Sequence, residues 1–198
     1  MKHFFLSVCL LMVAQGAMAS QGPVQDSLNV VNRKPVQHTL SINYDLGWIT
    51  SKVADPMSSR EYSWRTGQGV HAEYTCVFSK GMGFGLMGDH SFTDFPSSGI
   101  TLDYIAPEFA MRGGKNKWQF CMAAGLGYAH YKDDYGYDAK SGIGAHYSIG
   151  AEYLLTRHIG VGADMFVVNT YFGKDKSGYY DYNAINRFSF LVGLRFHL

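Results

Sequence analysis

The final twelve residues, RFSFLVGLRFHL, place an apolar side chain at every second position: Phe188, Phe190, Val192, Leu194, Phe196 and Leu198. Ser189, Leu191, Gly193, Arg195 and His197 fall between them. A period of two is the signature of a β-strand, whose successive side chains point to opposite faces. The same comb recurs along the chain. HTLSINYDLGWI opposes Leu40, Ile42, Tyr44, Leu46 and Trp48 to Thr39, Ser41, Asn43, Asp45 and Gly47. GVHAEYTCVF, GFGLMGDHS, KWQFCMAAGLGYAHY, AHYSIGAEYLL and IGVGADMFVV repeat it. ITLDYIAPEFAMR is less regular. Pro107 has no N–H to give to a ladder, which predicts a bulge near Ala106 and a slip of phase there. With the C-terminal segment this makes about eight strands of about ten residues, a length that crosses a bilayer when tilted.

The links between strands alternate in length. Ser79–Gly81, Arg112–Asn116 and Thr156–His158 are short. TSKVADPMSSREYSWRT, FTDFPSSG, YKDDYGYDAKSG and TYFGKDKSGYYDYNAIN are long and polar. Short turns at one rim and long loops at the other are typical of outer-membrane barrels, and an even strand count then leaves both termini on the short-turn, periplasmic side.

Alternation alone does not separate a membrane barrel from a soluble one. Size does. The interior of an eight-stranded barrel holds only a packed column of side chains. Some five large hydrophobes from each strand would overfill it, whereas the Gly, Ala, Ser, Thr and Asn of the other face would fit. The large face is therefore read as lipid-facing, and a closed barrel leaves no backbone group unpaired in hydrocarbon. The predicted fold is all-β: a single antiparallel up-and-down transmembrane barrel over residues 36–198. Glu73, Glu152, Asp164 and Arg195 fall on the small-residue face, joined by Glu108 and Arg112 if the phase slips at Pro107 as expected. Charges at membrane depth must face a lumen and pair there, so Arg195 is expected to bridge Asp164, Glu152 or Glu73. Trp48, Trp118, Tyr128 and Tyr153 are candidates for aromatic girdles at the two interfaces.

Met1 to Ala19 reads as an export signal, with Lys2 and His3 before an apolar run and Ala17-Met18-Ala19 before Ser20. Residues 20–35 are polar and aperiodic and are read as a flexible leader. A formal charge of +1 on 198 residues points to no nucleic-acid partner. Cys76 and Cys121 fall on opposite strand faces, which predicts free thiols.

This set of features resembles the small outer-membrane β-barrel family of the OmpA transmembrane-domain and OmpX type, over about residues 36–198. The resemblance implies a Gram-negative-type outer membrane, contact with outer-membrane lipid and lipopolysaccharide, and handling by the barrel-assembly machinery. The family's final strand usually ends on an aromatic residue; here Leu198 stands last, with Phe196 two before it.

Two enzyme readings stand beside the structural one. His146-Tyr-Ser148, followed by Glu152, resembles the His-x-Ser element of a lipid A deacylase. The residue types suit ester cleavage, but Ser148 and Glu152 lie about 13 Å apart along a strand. His90 and Ser91 sit where a rim acyltransferase would place them. A narrow porin is a third alternative. No cofactor is called for, and neither His71 with Glu73 nor Asp133, Asp134 and Asp138 has calcium-loop spacing. Tyr171, Tyr179, Tyr180 and Tyr182 in the last long loop are candidate contacts for an extracellular ligand, tyrosine giving contact area at low entropy cost.

Overall fold

The computed structural model describes residues 36–54, 61–62, 64–96, 99–133, 139–173 and 184–198. Residues 1–19 and 20–35, read above as export signal and leader, lie outside the described residues. The strands are β1 (Gln37–Ile49), β2 (Val53–Ala54), β3 (Glu61–Tyr62), β4 (Arg65–Val77), β5 (Met82–Asp94), β6 (Gly99–Lys115), β7 (Trp118–Asp133), β8 (Ala139–Leu154), β9 (Ile159–Tyr171) and β10 (Ala184–His197). Eight of them close into a barrel in the order β1-β10-β9-β8-β7-β6-β5-β4, and β2 pairs with β3 in a separate ribbon within the first long connection.

Every neighbouring pair in the barrel is antiparallel. Pairing can be followed right around it, from His38 through Cys76, Phe84, Phe109, Ala124, Tyr147, Val167 and Phe188 to Trp48. The path returns to β1 ten residues beyond its start. That stagger with eight strands tilts each strand by about 40° from the axis and leaves an interior of side-chain width.

The eight barrel strands run from 13 to 17 residues, longer than expected, because pairing continues into segments read from sequence as links. β6 runs on through Gly113, Gly114 and Lys115, and the turn contracts to Asn116 and Lys117. Asn116 takes φ 60°, a left-handed conformation that asparagine tolerates. Gly81 closes the turn after β4 at φ 78°, its N–H bonded to the Phe78 carbonyl at 2.8 Å. In the turn after β8, Thr156 Oγ1 accepts the N–H groups of His158 and Ile159.

The expected bulge at Ala106 is absent. The β5–β6 register is continuous, with Leu86 opposite Pro107 and Met87 opposite Ala106. Toward β7 the ladder omits Ala106 and Pro107 yet resumes in the same register, from Ile105–Tyr128 to Glu108–Gly125. Pro107 points outward, so its missing N–H interrupts the ladder without an inserted residue and without changing which side chains face in.

The apolar comb lies on the outer surface. Leu126 and Ile143 are 72% and 71% exposed, with Ile42, Leu86, Phe120, Val192 and Leu194 exposed around the wall. Trp118 meets Tyr153 edge-on at the rim where β1 begins and β10 ends, and Lys117 Nζ sits over the same tyrosine. Trp48 stacks with Phe188 nearer the other rim. The interior is richer in large hydrophobes than the small-residue reading expected. Met87, Tyr104, Ala106, Ala129, Phe166, Val168 and Leu191 form one buried cluster. Ile49, Phe95, Ile100, Leu102, Tyr131 and Ile185 form a second at the long-connection end of the strands. A path of these residues faces inward by strand phase, and the barrel can hold them because many of their inward neighbours are glycine.

Candidate functional site

The chemistry inside the barrel is a column of charged and histidine side chains, supplied by inward positions of seven of the eight barrel strands, with β7 adding the Cys121 thiol. Nearest the terminal rim, the Arg195 guanidinium from β10 grips the Asp164 carboxylate of β9, with Nη2 2.6 and 2.5 Å from its two oxygens. Its Nη1 lies 3.7 Å from Glu152 Oε2 and donates to Cys121 Sγ at 3.0 Å. Glu152 also faces Arg112 Nη1 at 3.3 Å and His197 Nε2 at 2.6 Å. Arg112 donates to Thr39 Oγ1 at 2.9 Å, joining β6 to β1 across the interior. Charge-assisted bonds of this kind need room for two bulky ends. Glycines leave it: a Cβ at Gly150 would sit 1.9 Å from Asp164 Oδ1, and one at Gly160 2.0 Å from Glu152 Oε1.

Glu73 and Glu108 occupy the middle of the column. Glu108 Oε2 is 3.1 Å from His146 Nε2, whose ring also lies edge-on to Tyr104. Glu73 lines a small cavity with Thr75, Arg112, Ser148, Asp164 and Arg195. Above this, Arg187 from β10 is 1% exposed and is held by Asp45 of β1 and by Asp89 of β5, 3.4 Å away. His71 Nδ1 approaches Asp89 from the other side at 3.5 Å.

Of the six charged residues singled out from sequence, Arg112, Arg195, Asp164 and Glu152 are brought together, while Glu73 and Glu108 sit higher, near His71 and His146. Sequence reasoning missed the Arg187–Asp45–Asp89 group. Asp45 and, by the same alternation in GFGLMGDHS, Asp89 fall on the small-residue face, but Arg187 reads only as the start of the last segment. It shares the phase of Ser189, Leu191 and Arg195, and that parity was the available signal.

The catalytic candidates are arranged less favourably. His146 is buried, its two ring nitrogens engaged by Tyr104 Oη at 3.0 Å and by Glu108. Ser148 lies on the same inward face and lines the small cavity. Both face the interior, with the His146 ring against Tyr104 and Phe166 of the first buried cluster, on the side of the wall away from acyl chains. His90 and Ser91 face opposite ways: Ser91 points in and is buried, while His90 is exposed outside beside Asp103 at 2.5 Å. Cys76 and Cys121 are unpaired.

The family model of the outer membrane protein beta-barrel domain matches residues 5–196. The chain belongs to that family. Membership places it in the outer membrane of a Gram-negative-type bacterium. Solved structures agree on the fold. Neisserial surface protein A superposes with a TM-score of 0.58 at 14% identity, covering 79% of this chain and 96% of the other. The attachment invasion locus protein Ail of Yersinia pestis gives 0.54 at 10%, over 83% and 100%. OprG of Pseudomonas aeruginosa gives 0.53 at 10%, over 86% and 99%. No curated protein matches the sequence. Within this barrel Tyr171 is exposed at the end of β9; Tyr179, Tyr180 and Tyr182 lie outside the described residues, as do Asp134 and Asp138.

Proposed function

We propose that this chain is a closed outer-membrane barrel with a structural or surface-interaction role, its termini periplasmic and its long connections at the cell surface. The observation that carries the reading is the filled interior. The apolar cluster of Ile49, Ile100, Leu102, Tyr131 and Ile185 lies over the charged column, so a solute meets packed side chains rather than a channel. Lipopolysaccharide surrounds such a wall, and the barrel-assembly machinery inserts it. Binding of an extracellular ligand then falls to the connections, with Tyr171, Tyr179, Tyr180 and Tyr182 supplying contact area in the last of them.

Planar-bilayer recordings test the stopper: the purified barrel gives no large, steady conductance, and such channels would overturn the reading. Replacing residues 173–182 by Gly-Ser abolishes adhesion to host or matrix surfaces while heat-modifiable migration and outer-membrane fractionation stay unchanged. Ser148→Ala leaves the lipid A acylation pattern of the cell as it was; an altered pattern would move the site to His146 and Ser148.

A further inference from the structure

At the rim where β1 begins and β10 ends, the outside of the barrel carries charge of one sign. Lys80 lies in the turn after β4, Lys115 and Lys117 flank the turn after β6, and Arg157 lies in the turn after β8; all four are exposed. The acids of this half, Glu73, Glu108, Glu152 and Asp164, face the interior. The other rim is mixed, with Lys52, Lys132 and Asp94 exposed and Asp103 beside His90.

Backbone bonds fix these turns. The Gly81 carbonyl accepts the Arg112 N–H at 2.7 Å, the Lys117 carbonyl accepts the Leu154 N–H at 2.8 Å, and the His158 carbonyl accepts the His197 N–H at 2.8 Å. Each turn is thereby tied to the strand beyond its own hairpin. From β6 to β8 the outermost paired row of the outer wall is Lys115, Trp118 and Tyr153. Lys117 Nζ lies 5.7 Å from the centre of the Tyr153 ring, which meets Trp118 edge-on at 5.1 Å. Phe120, two residues further along β7, is 66% exposed on the apolar wall. Tryptophan and tyrosine settle at the headgroup level of a bilayer, so the two lysines and Arg157 of the neighbouring turn stand at the level of the lipid phosphates.

We propose that Lys115, Lys117 and Arg157, with Trp118 and Tyr153, form a seat for an anionic phospholipid, its phosphate among the three cations and its acyl chains over Phe120. A zwitterionic lipid brings its own ammonium, which cancels most of the attraction; an anionic one leaves the phosphate charge to the protein. Arginine offers that phosphate a planar fork and lysine a point charge. Each cation near an anionic surface favours it by about fivefold. The choice of phospholipid rests on the orientation proposed above, which sets this rim in the periplasmic leaflet and away from lipopolysaccharide.

Trp118 reports on its own seat. The other two tryptophans, Trp48 and Trp64, lie toward the long connections, and Trp48→Phe/Trp64→Phe leaves Trp118 as the single emitter. The barrel is folded into phosphatidylcholine vesicles, and phosphatidylglycerol or phosphatidylcholine brominated on its acyl chains is added at equal mole fraction to quench it. Phosphatidylglycerol is expected to win the place beside Trp118 by about fivefold or more at low salt, and the preference shrinks toward one in about 1 M salt. Lys115→Gln/Lys117→Gln/Arg157→Gln on the same background brings the ratio to about one, while a Trp64→Phe/Trp118→Phe chain, emitting from Trp48, shows no preference. Equal quenching by the two lipids, a preference that survives the triple variant, or the same preference at Trp48 would overturn the proposal. So would a preference abolished by inorganic phosphate but not by sodium chloride of equal ionic strength, which would mark a seat for the free anion. Orientation is read separately, with Ser79→Cys in the turn after β4. An impermeant maleimide labels it only after the outer membrane of the cell is opened. Labelling in intact cells, beyond that of the unaltered chain, would overturn the orientation and with it the phospholipid, whatever the vesicles show.

Discussion

The interior of the barrel has a terminal end and a long-connection end made of different materials. Toward the termini, Arg112, Arg195 and His197 all face Glu152, and Arg195 also grips Asp164. Toward the long connections, Ile49, Phe95, Ile100, Leu102, Tyr131 and Ile185 form an apolar cluster. Between them stands Arg187, a single guanidinium shared by Asp45 and Asp89. The contrast teaches where the barrel is redundant. The cations around Glu152 back one another up, the apolar end can lose contacts piecemeal, and the Arg187 group has one guanidinium for two buried acids.

That difference is most sharply tested by removing one arginine from each group. Arg187→Met leaves Asp45 and Asp89 without a guanidinium and destabilises the barrel by about 4 kcal/mol, the cost of breaking a buried pair. Arg195→Met costs about 3 kcal/mol, because Arg112 and His197 still face Glu152. Urea titrations in lipid vesicles rank the two, and a larger loss for Arg195→Met would reverse the assignment of redundancy.

The terminal half was more legible from sequence than the other. There the inward face really is Gly, Ser, Thr and charge, so a period of two separates the faces cleanly. In the other half Leu102, Tyr104, Phe166, Val168 and Leu191 point inward while Ile105, Val167 and Val192 point outward. Both faces are then apolar, and periodicity loses its contrast. Pro107 misled for a related reason. A proline suggests a bulge when the only test is alternation, and Tyr104, Ile105 and Ala106 before it offer none. Ion-pair partners were legible only as a set sharing one phase; which acid meets which base depends on the stagger between strands, and no single strand encodes that.

Adjacent residues on opposite faces sharpen the inside–outside comparison. Leu191 is buried in the cluster with Phe166 and Val168. Leu191→Ala leaves a cavity between side chains that cannot follow, and costs about 2.5 kcal/mol. Val192, its neighbour, faces outward in the middle of β10. Val192→Ala leaves no such cavity, since lipid chains close over the surface, while Val192→Arg puts a charge into hydrocarbon and costs about 2 kcal/mol or more. Parallel unfolding measurements on the three variants check the order; a cavity-like loss for Val192→Ala would place that side chain inside.

The smallest effect is expected from the shortest ion pair on the outer wall. His90 and Asp103 approach to 2.5 Å, closer than any histidine pair of the interior, yet their side chains are 68% and 48% exposed. Distance alone would rank this pair first among the histidine pairs. Exposure decides otherwise, because solvent screens the attraction and ordering two side chains offsets much of what remains. His90→Gln and Asp103→Asn therefore each cost about 0.5 kcal/mol or less, several times less than Arg187→Met. The double variant equals the sum of the two singles, since a screened pair has little coupling to lose. A coupling above about 1 kcal/mol in that cycle would show that the pair lies deeper in the bilayer than its exposure suggests, and would raise the upper edge of the lipid-facing band on β5 and β6 to include it.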